Sequence, residues 1–121
     1  MQKLLKIACL QTQPKSSIGE ALLEALDFAK KAVKNGAEFL FLPEYCAGLV
    51  SENGKLKPPS SYENEHEFLL GMQRFSKENE VWIMIGSIAV SSSGGKIFNR
   101  GFVLDSLGVI ISRYDKIHMF D

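Results

Sequence analysis

The spacing of apolar and polar residues along the chain predicts seven elements in the order β-α-β-α-β-β-β. The β-α-β unit at the start should hold parallel strands joined by a right-handed crossover. The last three strands should form an antiparallel meander, so the predicted fold class is α/β with a mixed sheet. The predicted bounds are a strand over 6–11, a helix from Ser17 to Asn35-Gly36, a strand over 39–42, a helix over 65–79, a strand over 81–85 that passes a bulge at Gly86-Ser87 into 88–90, and strands over 97–104 and 109–114.

The first helix has a start signal and a stop signal in the sequence. Ser17 and Glu20 match the capping box, in which the serine hydroxyl and the glutamate carboxylate each bond to a free helix amide. Gly36 can adopt the left-handed conformation that ends a helix. Apolar residues at helical spacing predict one buried stripe, which consists of Leu22, Leu26, Ala29 and Val33.

The second half of the chain adds one helix and three strands. Residues 51–64 are polar and contain two prolines, which predicts a surface loop, and residues 105–108 predict a hairpin turn. The apolar run over 81–85 predicts a buried strand. Phe68, Met72 and Phe75 should lie on one face of the second helix. Two helices are too few to cover both faces of this sheet, so we expect a partner or further chain to cover the second face.

Composition and charge narrow the possible partners. Lys+Arg and Asp+Glu both number 14, so the formal net charge is zero, and nothing global favours nucleic acid or an anionic membrane. The amino terminus lacks the apolar run of a signal peptide, and no stretch approaches the length of a membrane span. Two cysteines without an export signal predict reduced thiols and a cytoplasmic protein.

Two charged residues follow apolar strands and are the candidates for chemistry. Glu44 comes directly after Pro43 at the end of the strand over 39–42, and Lys116 follows the last strand. Chemistry in open α/β sheets collects at the carboxyl ends of strands, so the pair could act as a general base and an oxyanion clamp. We expect apolar neighbours to desolvate Glu44 and raise its pKa. The alternative is that both are solvated surface residues.

The cysteines and histidines give weaker signals. Cys9 lies in the first strand, where a buried structural thiol is expected. Cys46 could be a nucleophile, but its neighbour Glu44 is only two residues away and seldom has the geometry of a base; a thiol enzyme that uses Cys46 remains an alternative. His118 suits packing or hydrogen bonding better than metal ligation. His66 lies among glutamates, which predicts a solvated position.

Nucleotide binding has little support. Residues 93–96 read Ser-Gly-Gly-Lys, but the first glycine of a phosphate loop is missing, Ile97 replaces the Ser or Thr, and a strand follows instead of a helix. The sequence contains no G-x-G-x-x-G and no G-x-S-x-G pattern. A dinucleotide site and a serine-hydrolase elbow therefore also lose support.

Taken together, several segments resemble the nitrilase, or carbon-nitrogen hydrolase, superfamily. They occur in the family's order and at its separations, and they span nearly the whole chain. The segments are residues 6–11, residues 35–44, Gly86-Ser87, residues 98–101 and residues 114–121.

The resemblance implies a Glu-Lys-Cys triad and a larger protein. Glu44 falls on the glutamate, Lys116 on the lysine, and Asn99 on an asparagine that supports the site. The family's cysteine lies beyond residue 121, and neither Cys9 nor Cys46 matches it. A second glutamate that many members carry after the lysine is also absent. Residues 1–121 are accordingly expected to be the amino-terminal portion of one carbon-nitrogen hydrolase domain, part of a four-layer α-β-β-α sandwich.

The family also implies a reaction and partners. A small amide or nitrile would be hydrolysed without a metal or organic cofactor, in a protein that forms homodimers or larger homo-oligomers. The charge balance and the lack of an apolar span already predict that neither nucleic acid nor a membrane is a partner. The 121 residues alone are expected to be inactive. An alternative from a different class is a non-catalytic fragment that acts as a folding or oligomerisation partner.

Overall fold

The computed structural model describes residues 3–117 and confirms the predicted order of elements, with additions between the first and second helices. The segment over 51–64, predicted as a loop, also contains short strands and a helical turn. The elements are β1 (Ile7–Cys9), α1 (Ile18–Lys34), β2 (Phe39–Leu42), β3 (Val50–Glu52), β4 (Lys55–Lys57), β5 (Ser60–Ser61), a 3₁₀ helix (Glu63–Glu65), α2 (Glu67–Asn79), β6 (Trp82–Ser91), β7 (Ile97–Leu104) and β8 (Ile110–Asp115).

The main sheet of the described residues has the strand order β1-β2-β6-β7-β8. Strands β1, β2 and β6 are parallel, and β6, β7 and β8 are antiparallel, so the predicted mixed sheet is confirmed. The register between β6 and β7 shifts between Ile85 and Ile88, which confirms the predicted bulge at Gly86-Ser87. Past this bulge β5 pairs with β6, and β3 and β4 form a separate hairpin.

Helix α1 has the predicted ends, but its capping box is only half formed. The Ser17 hydroxyl accepts a hydrogen bond from the Glu20 backbone N–H at 3.2 Å. The Glu20 carboxylate accepts a hydrogen bond from the Ser16 hydroxyl at 3.4 Å. At the other end Asn35 caps the helix and Gly36 has a φ of 91°, as the sequence predicts.

The buried stripe of α1 differs from the predicted one by about one position. Ala21, Ala25 and Ala29 are the fully buried residues, whereas Leu22 and Leu26 are only partly buried. Alanine side chains are short, so this face lies in the core cluster, and the larger leucines pack at its edge. Leu22 instead meets Gly71 of α2, where an added Cβ would lie 2.7 Å from the Leu22 Cδ1.

Both helices pack on one face of the sheet. The core residues of that face include Leu40, Ile83 and Phe102, which cluster with Phe68, Met72 and Phe75 of α2 as predicted. On the opposite face Trp82 is 38% exposed and Met84 is 41% exposed, so the predicted burial of residues 81–85 holds on one side of the strand only. The described residues thus form one helix layer on one sheet. No helix among them is long and apolar enough to cross a membrane.

His66 is fully buried, so its predicted solvated position is wrong. His66 is the N-cap residue of α2. Its ring points into the core, where Nε2 lies 3.2 Å from the carbonyl oxygen of Ala89 in β6. Within residues 3–117, Nδ1 has no hydrogen-bond partner. Burial lowers the pKa of His66 below its usual 6.5, against smaller raising effects of the Ala89 hydrogen bond and the Glu67 charge.

The predicted hairpin turn between β7 and β8 is confirmed, and it is docked on α2. The Asp105 carboxylate accepts hydrogen bonds from the backbone N–H groups of Leu107 and Val109 at 2.8 and 3.0 Å. Gly108 has a φ of 78°, and the Gln73 side chain donates to its carbonyl oxygen at 2.9 Å. A Cβ on Gly108 would lie 2.4 Å from the backbone oxygen of Gln73, so only glycine fits.

Replacing Gly108 with alanine should destabilise the protein more than replacing Gly95. Both glycines have a φ of 78°, but a Cβ on Gly95 meets nothing within 4 Å. Alanine at either position therefore causes about 1 kcal/mol of backbone strain. Only Gly108→Ala adds a clash with Gln73. We expect the free energy of unfolding, measured by urea denaturation of the intact protein, to fall by at least about 1 kcal/mol more in Gly108→Ala. Equal losses would contradict the docking contact.

Acid should destabilise the protein through His66. The unfolded imidazole, with a pKa near 6.5, binds a proton more readily than the buried one, whose pKa is lowered. The contribution to stability is therefore complete above pH 6.5 and is lost as the pH falls from there through the lowered pKa. In His66→Gln, unfolding free energies measured over this range should depend less on pH. The same pH dependence in both proteins would show that His66 is protonated equally in the two states.

Candidate active site

The strand directions bring the three predicted site residues to one edge of the sheet. Glu44 follows β2, and Lys116 follows β8, which runs in the same direction because two antiparallel pairings separate it from β6. Asn99 lies near the start of the oppositely directed β7, next to Ala89 in the register. The end of β2, the start of β7 and the end of β8 therefore meet at the edge where α/β sheets collect their chemistry.

The three side chains are in direct contact through one carboxylate oxygen. Lys116 Nζ lies 2.8 Å from Glu44 Oε2, and Asn99 Nδ2 donates to the same oxygen at 2.9 Å. The Lys116 backbone N–H donates to the Asn99 carbonyl oxygen at 2.9 Å, which joins the two strand ends. Asn99 is buried, and its Oδ1 has no partner within residues 3–117. The predicted base, clamp and supporting residue thus form one cluster.

The ionisation of Glu44 differs from the prediction. The hydrogen bond from Lys116, followed by that from Asn99, holds the pKa of Glu44 below its usual 4.5 and outweighs the raising effect of burial. The predicted rise fails because the Glu44 side chain keeps 45% of its surface exposed, so desolvation is weak. Glu44 is therefore an ionised carboxylate at neutral pH, paired with a cation.

A charged network holds the strand segment that delivers Lys116. Arg100 of β7 binds the Asp115 carboxylate with two hydrogen bonds of 2.6 and 3.1 Å across the β7–β8 ladder. Arg100 also donates to Glu63 at 3.2 Å, and Arg113 donates to Glu63 through both Nε and Nη2. These bonds lower the pKa of Glu63, chiefly through Arg113, and of Asp115, chiefly through Arg100. The 3₁₀ helix is thereby tied to the end of β8.

Two glycines let three strands approach closely beneath the cluster. A Cβ on Gly86 would lie 2.5 Å from the carbonyl oxygen of Leu42 and 2.6 Å from the carbonyl carbon of Pro43. A Cβ on Gly101 would lie 2.8 Å from the carbonyl oxygen of Gly86. The contacts are with backbone atoms, which cannot move aside as a side-chain tip can. Glycine at both positions is therefore required for β2, β6 and β7 to converge under Glu44.

The cluster faces a cavity of about 370 Å³. This volume is within the range of small-molecule sites. Four polar side chains and an exposed tyrosine border the cavity, so its wall combines charge with apolar surface. The lining residues are Glu44, Gly86, Ser87, Asn99, Gly101, Tyr114, Lys116 and Ile117.

Neither cysteine of the chain belongs to this cavity wall. Cys9 is exposed on β1, so the predicted buried thiol is wrong; its side chain points to the face opposite the helices. Cys46 is buried, and its thiol donates to the Ser87 carbonyl oxygen at 3.5 Å. Burial raises the pKa of Cys46 far above that of an ordinary thiol, which argues against the alternative of a Cys46 nucleophile.

The predictions for the remaining candidates have mixed outcomes. His118 lies outside the described residues. Within residues 3–117 no three His, Cys, Asp or Glu side chains are grouped so that they could hold a metal ion. Sequence reasoning missed the Arg100–Asp115 pair and the contacts of Ser87 with the turn after β2. The only available signal was the Gly86-Ser87 bulge, which marks an irregular backbone but not its partners.

Comparison of the sequence with known proteins identifies the same family that its segments resemble. The family model for carbon-nitrogen hydrolase matches residues 6–121. Over 116 residues the chain is 32% identical to a deaminated glutathione amidase of Synechocystis sp. (strain PCC 6803 / GT-S), covering 94% of this chain and 42% of that protein. Over 121 residues it is 27% identical to omega-amidase NIT2 of Homo sapiens, covering 96% of this chain and 41% of that protein. The chain thus spans less than half the length of these relatives.

Solved structures share the fold. A carbon-nitrogen hydrolase from Helicobacter pylori G27 matches with a TM-score of 0.77 at 16% identity, over 97% of this chain and 41% of that chain. The C. elegans NitFhit protein matches with a TM-score of 0.78 at 19% identity, over 98% of this chain and 30% of that chain. The predicted resemblance and fold class are confirmed. Because the family model matches nearly the whole sequence, this chain belongs to the carbon-nitrogen hydrolase family.

Proposed function

We propose that this chain is part of an enzyme that hydrolyses a small linear amide, or a nitrile, through a Glu-Lys-Cys triad. The observation that carries the proposal is the 2.8 Å contact between Glu44 and Lys116 on the wall of a cavity of about 370 Å³. Family membership and two relatives named as amidases support amide hydrolysis. The cysteine nucleophile would come from outside these 121 residues.

In the first half of the reaction Glu44 acts as the general base. Its carboxylate takes the proton of the cysteine thiol, and the thiolate attacks the amide carbon to form a tetrahedral intermediate. Lys116 carries three N–H donors, so it can keep a bond to Glu44 while it stabilises the developing oxyanion. Glu44 then passes its proton to the leaving nitrogen, the C–N bond breaks, and ammonia departs from a primary amide.

The second half releases the acid. Glu44, again ionised, takes a proton from water, and the hydroxide attacks the thioester carbon. Lys116 stabilises the second oxyanion as it did the first. The C–S bond then breaks, the thiolate recovers its proton from Glu44, and the carboxylic acid leaves. Each step uses groups that ionise reversibly, and no cofactor enters the proposal.

The surroundings of the site support further parts of the proposal. Arg100, Arg113 and Glu63 tie the segment after β5 to the strand that carries Lys116, so residues 51–64 would help to shape the substrate pocket.

Both cysteines are free, in keeping with a cytoplasmic location. The partly exposed apolar face around Trp82 and Met84 suits contact with further protein. We propose a homodimer or larger homo-oligomer for the whole enzyme.

That apolar face also favours a second candidate function. A chain that only assists folding or assembly would need the face and would not need the Glu44–Lys116 pair. Mutation of Glu44 distinguishes the two candidate functions. If the protein is a hydrolase, loss of the carboxylate removes hydrolysis. Assembly, measured by sedimentation, should be unchanged whichever function is correct.

Glu44→Gln should reduce amide hydrolysis by about 10²- to 10⁴-fold, since a glutamine cannot accept the thiol proton. Ammonia release by the intact protein from acetamide, propionamide and succinamate is the measurement. Glu38→Gln is the matched control, because Glu38 lies just before the same strand and its carboxylate accepts a hydrogen bond from the Lys6 backbone N–H, away from the cavity. Glu44 is exposed, so the fold should survive. Full turnover in Glu44→Gln would exclude Glu44 as the base, whereas a wild type that assembles but releases no ammonia would favour the assembly function.

Asn99→Asp should shift the acid limb of activity to higher pH. In the wild type Asn99 helps Lys116 to lower the pKa of Glu44, and activity that needs the ionised base is lost as the pH falls through that pKa. An aspartate of the same shape replaces a donor with a like charge and raises the pKa. The measurement is the pH profile of kcat/KM.

Asn79→Asp provides the control for this isosteric change. Asn79 donates to the Phe75 carbonyl oxygen at 3.0 Å at the end of α2, away from the cavity. Its acid limb should match that of the wild type. An unshifted limb in Asn99→Asp would show that the titrating group of the profile is not Glu44.

A further inference from the structure

The turn that follows β2 and carries Glu44 is held by one residue of β6. Ser87 Oγ accepts a hydrogen bond from the Tyr45 backbone N–H at 2.9 Å. Its carbonyl oxygen accepts from the Cys46 backbone N–H at 3.1 Å, and its own N–H donates to the Pro43 carbonyl oxygen at 3.4 Å. The partners lie on both sides of Glu44, so Ser87 fixes the backbone before and after that residue.

The hydroxyl contact stabilises an unusual backbone conformation. Tyr45 has a φ of 53°, in the left-handed region that side chains other than those of glycine, asparagine and aspartate seldom adopt. Such a conformation persists only where surrounding contacts hold it. The other two backbone contacts would remain with any residue at position 87. The Tyr45 N–H, in contrast, depends on an acceptor in the side chain.

Burial and the neighbouring glycine fix the hydroxyl itself. Ser87 is only 4% exposed, and it lies in the bulge that interrupts the pairing of β6 with β7. Gly86, the residue before it, is packed against the backbone of Leu42 and Pro43. The serine is therefore held by β6 on one side and by the end of β2 on the other, and its Oγ has little freedom to move.

We infer that Ser87 is a positioning residue for Glu44: its hydroxyl holds the left-handed turn at Tyr45, which aims the Glu44 carboxylate at Lys116 and Asn99. The inference rests on the proposed role of Glu44 as the base. Without the acceptor at position 87 the turn relaxes, and the carboxylate moves relative to both partners. A displacement of about 1 Å in a reacting group can reduce a rate about 10²-fold.

Because Ser87 also borders the cavity, a direct contact with substrate is the competing explanation. The two explanations differ in kinetics. A hydroxyl that binds substrate equally in the ground and transition states affects KM, whereas a misplaced base affects kcat. Ser87→Ala in the intact protein should lower kcat for succinamate by about 10- to 100-fold, with KM changed less than about threefold. A raised KM with unchanged kcat would overturn the inference.

Two further variants separate positioning from loss of stability. Ser76 is also a buried serine with a bonded hydroxyl, which contacts the Val81 carbonyl oxygen at 2.8 Å at the far end of β6. Ser76→Ala should be destabilised yet keep its kcat within about threefold, as expected for a change away from the reacting groups. Ser87→Thr keeps the acceptor and should retain most of the kcat that Ser87→Ala loses. A Thr variant that folds and is as slow as Ala would contradict the role of the hydroxyl.

A titration of Glu44 tests the inference without catalysis. The ¹³C signal of the Glu44 carboxyl, assigned with Glu44→Gln, reports its pKa directly. In the wild type contacts with Lys116 and Asn99 lower this pKa, so a displaced carboxylate in Ser87→Ala should titrate at higher pH. An unchanged pKa would overturn the positioning role. If the wild type releases no ammonia from any amide, the proposed function fails, while this titration still decides the role of Ser87.

Discussion

The structure of the site depends on the close approach of three backbones under Glu44. Gly86 lies against the end of β2, and Gly101 lies against Gly86, with no room for a side chain at either contact. This packing sets the distance between the end of β2 and the start of β7, and hence the reach from Glu44 to Asn99. The backbones of β2, β6 and β7 therefore form the frame that sets where the charged side chains at this edge lie.

The frame positions opposite charges without burying them. Lys116 and Glu44 keep 33% and 45% of their side-chain surfaces exposed, and an ion pair so open to solvent contributes little to stability. The Arg100–Asp115 bonds and the Lys116 N–H to Asn99 contact hold the lysine backbone in place. The strands and their ladder contacts thus set the positions of Glu44 and Lys116. The ion pair does not have to hold the fold together. The Glu44–Lys116 ion pair can therefore lie at the centre of the site although it contributes little to stability.

The sequence predicts what depends on local signals and misses what depends on tertiary partners. The caps of α1, the hairpin at Asp105 and the placement of Glu44 and Lys116 follow from residue type and strand direction. The lowered pKa of Glu44 could not be predicted, because its sign depends on which side chains of β7 and β8 reach the carboxylate. Likewise, the burial of His66 depends on how α2 meets β6, whereas neighbouring glutamates in the sequence suggest solvent.

The lowered pKa of Glu44 bears on the role of general base that we propose for this residue. An ordinary thiol has a pKa of about 8.5 and a glutamate one of about 4.3, so transfer of the proton is uphill by about 4 units, or roughly 6 kcal/mol. A carboxylate bonded to Lys116 is a weaker base still. The balance changes when an oxyanion forms, because the ammonium then shares its hydrogen bonds with the new charge and withdraws less from Glu44. In the proposed mechanism Glu44 would become more basic at the moment when it must hold the proton, so the lysine would couple oxyanion stabilisation to proton transfer.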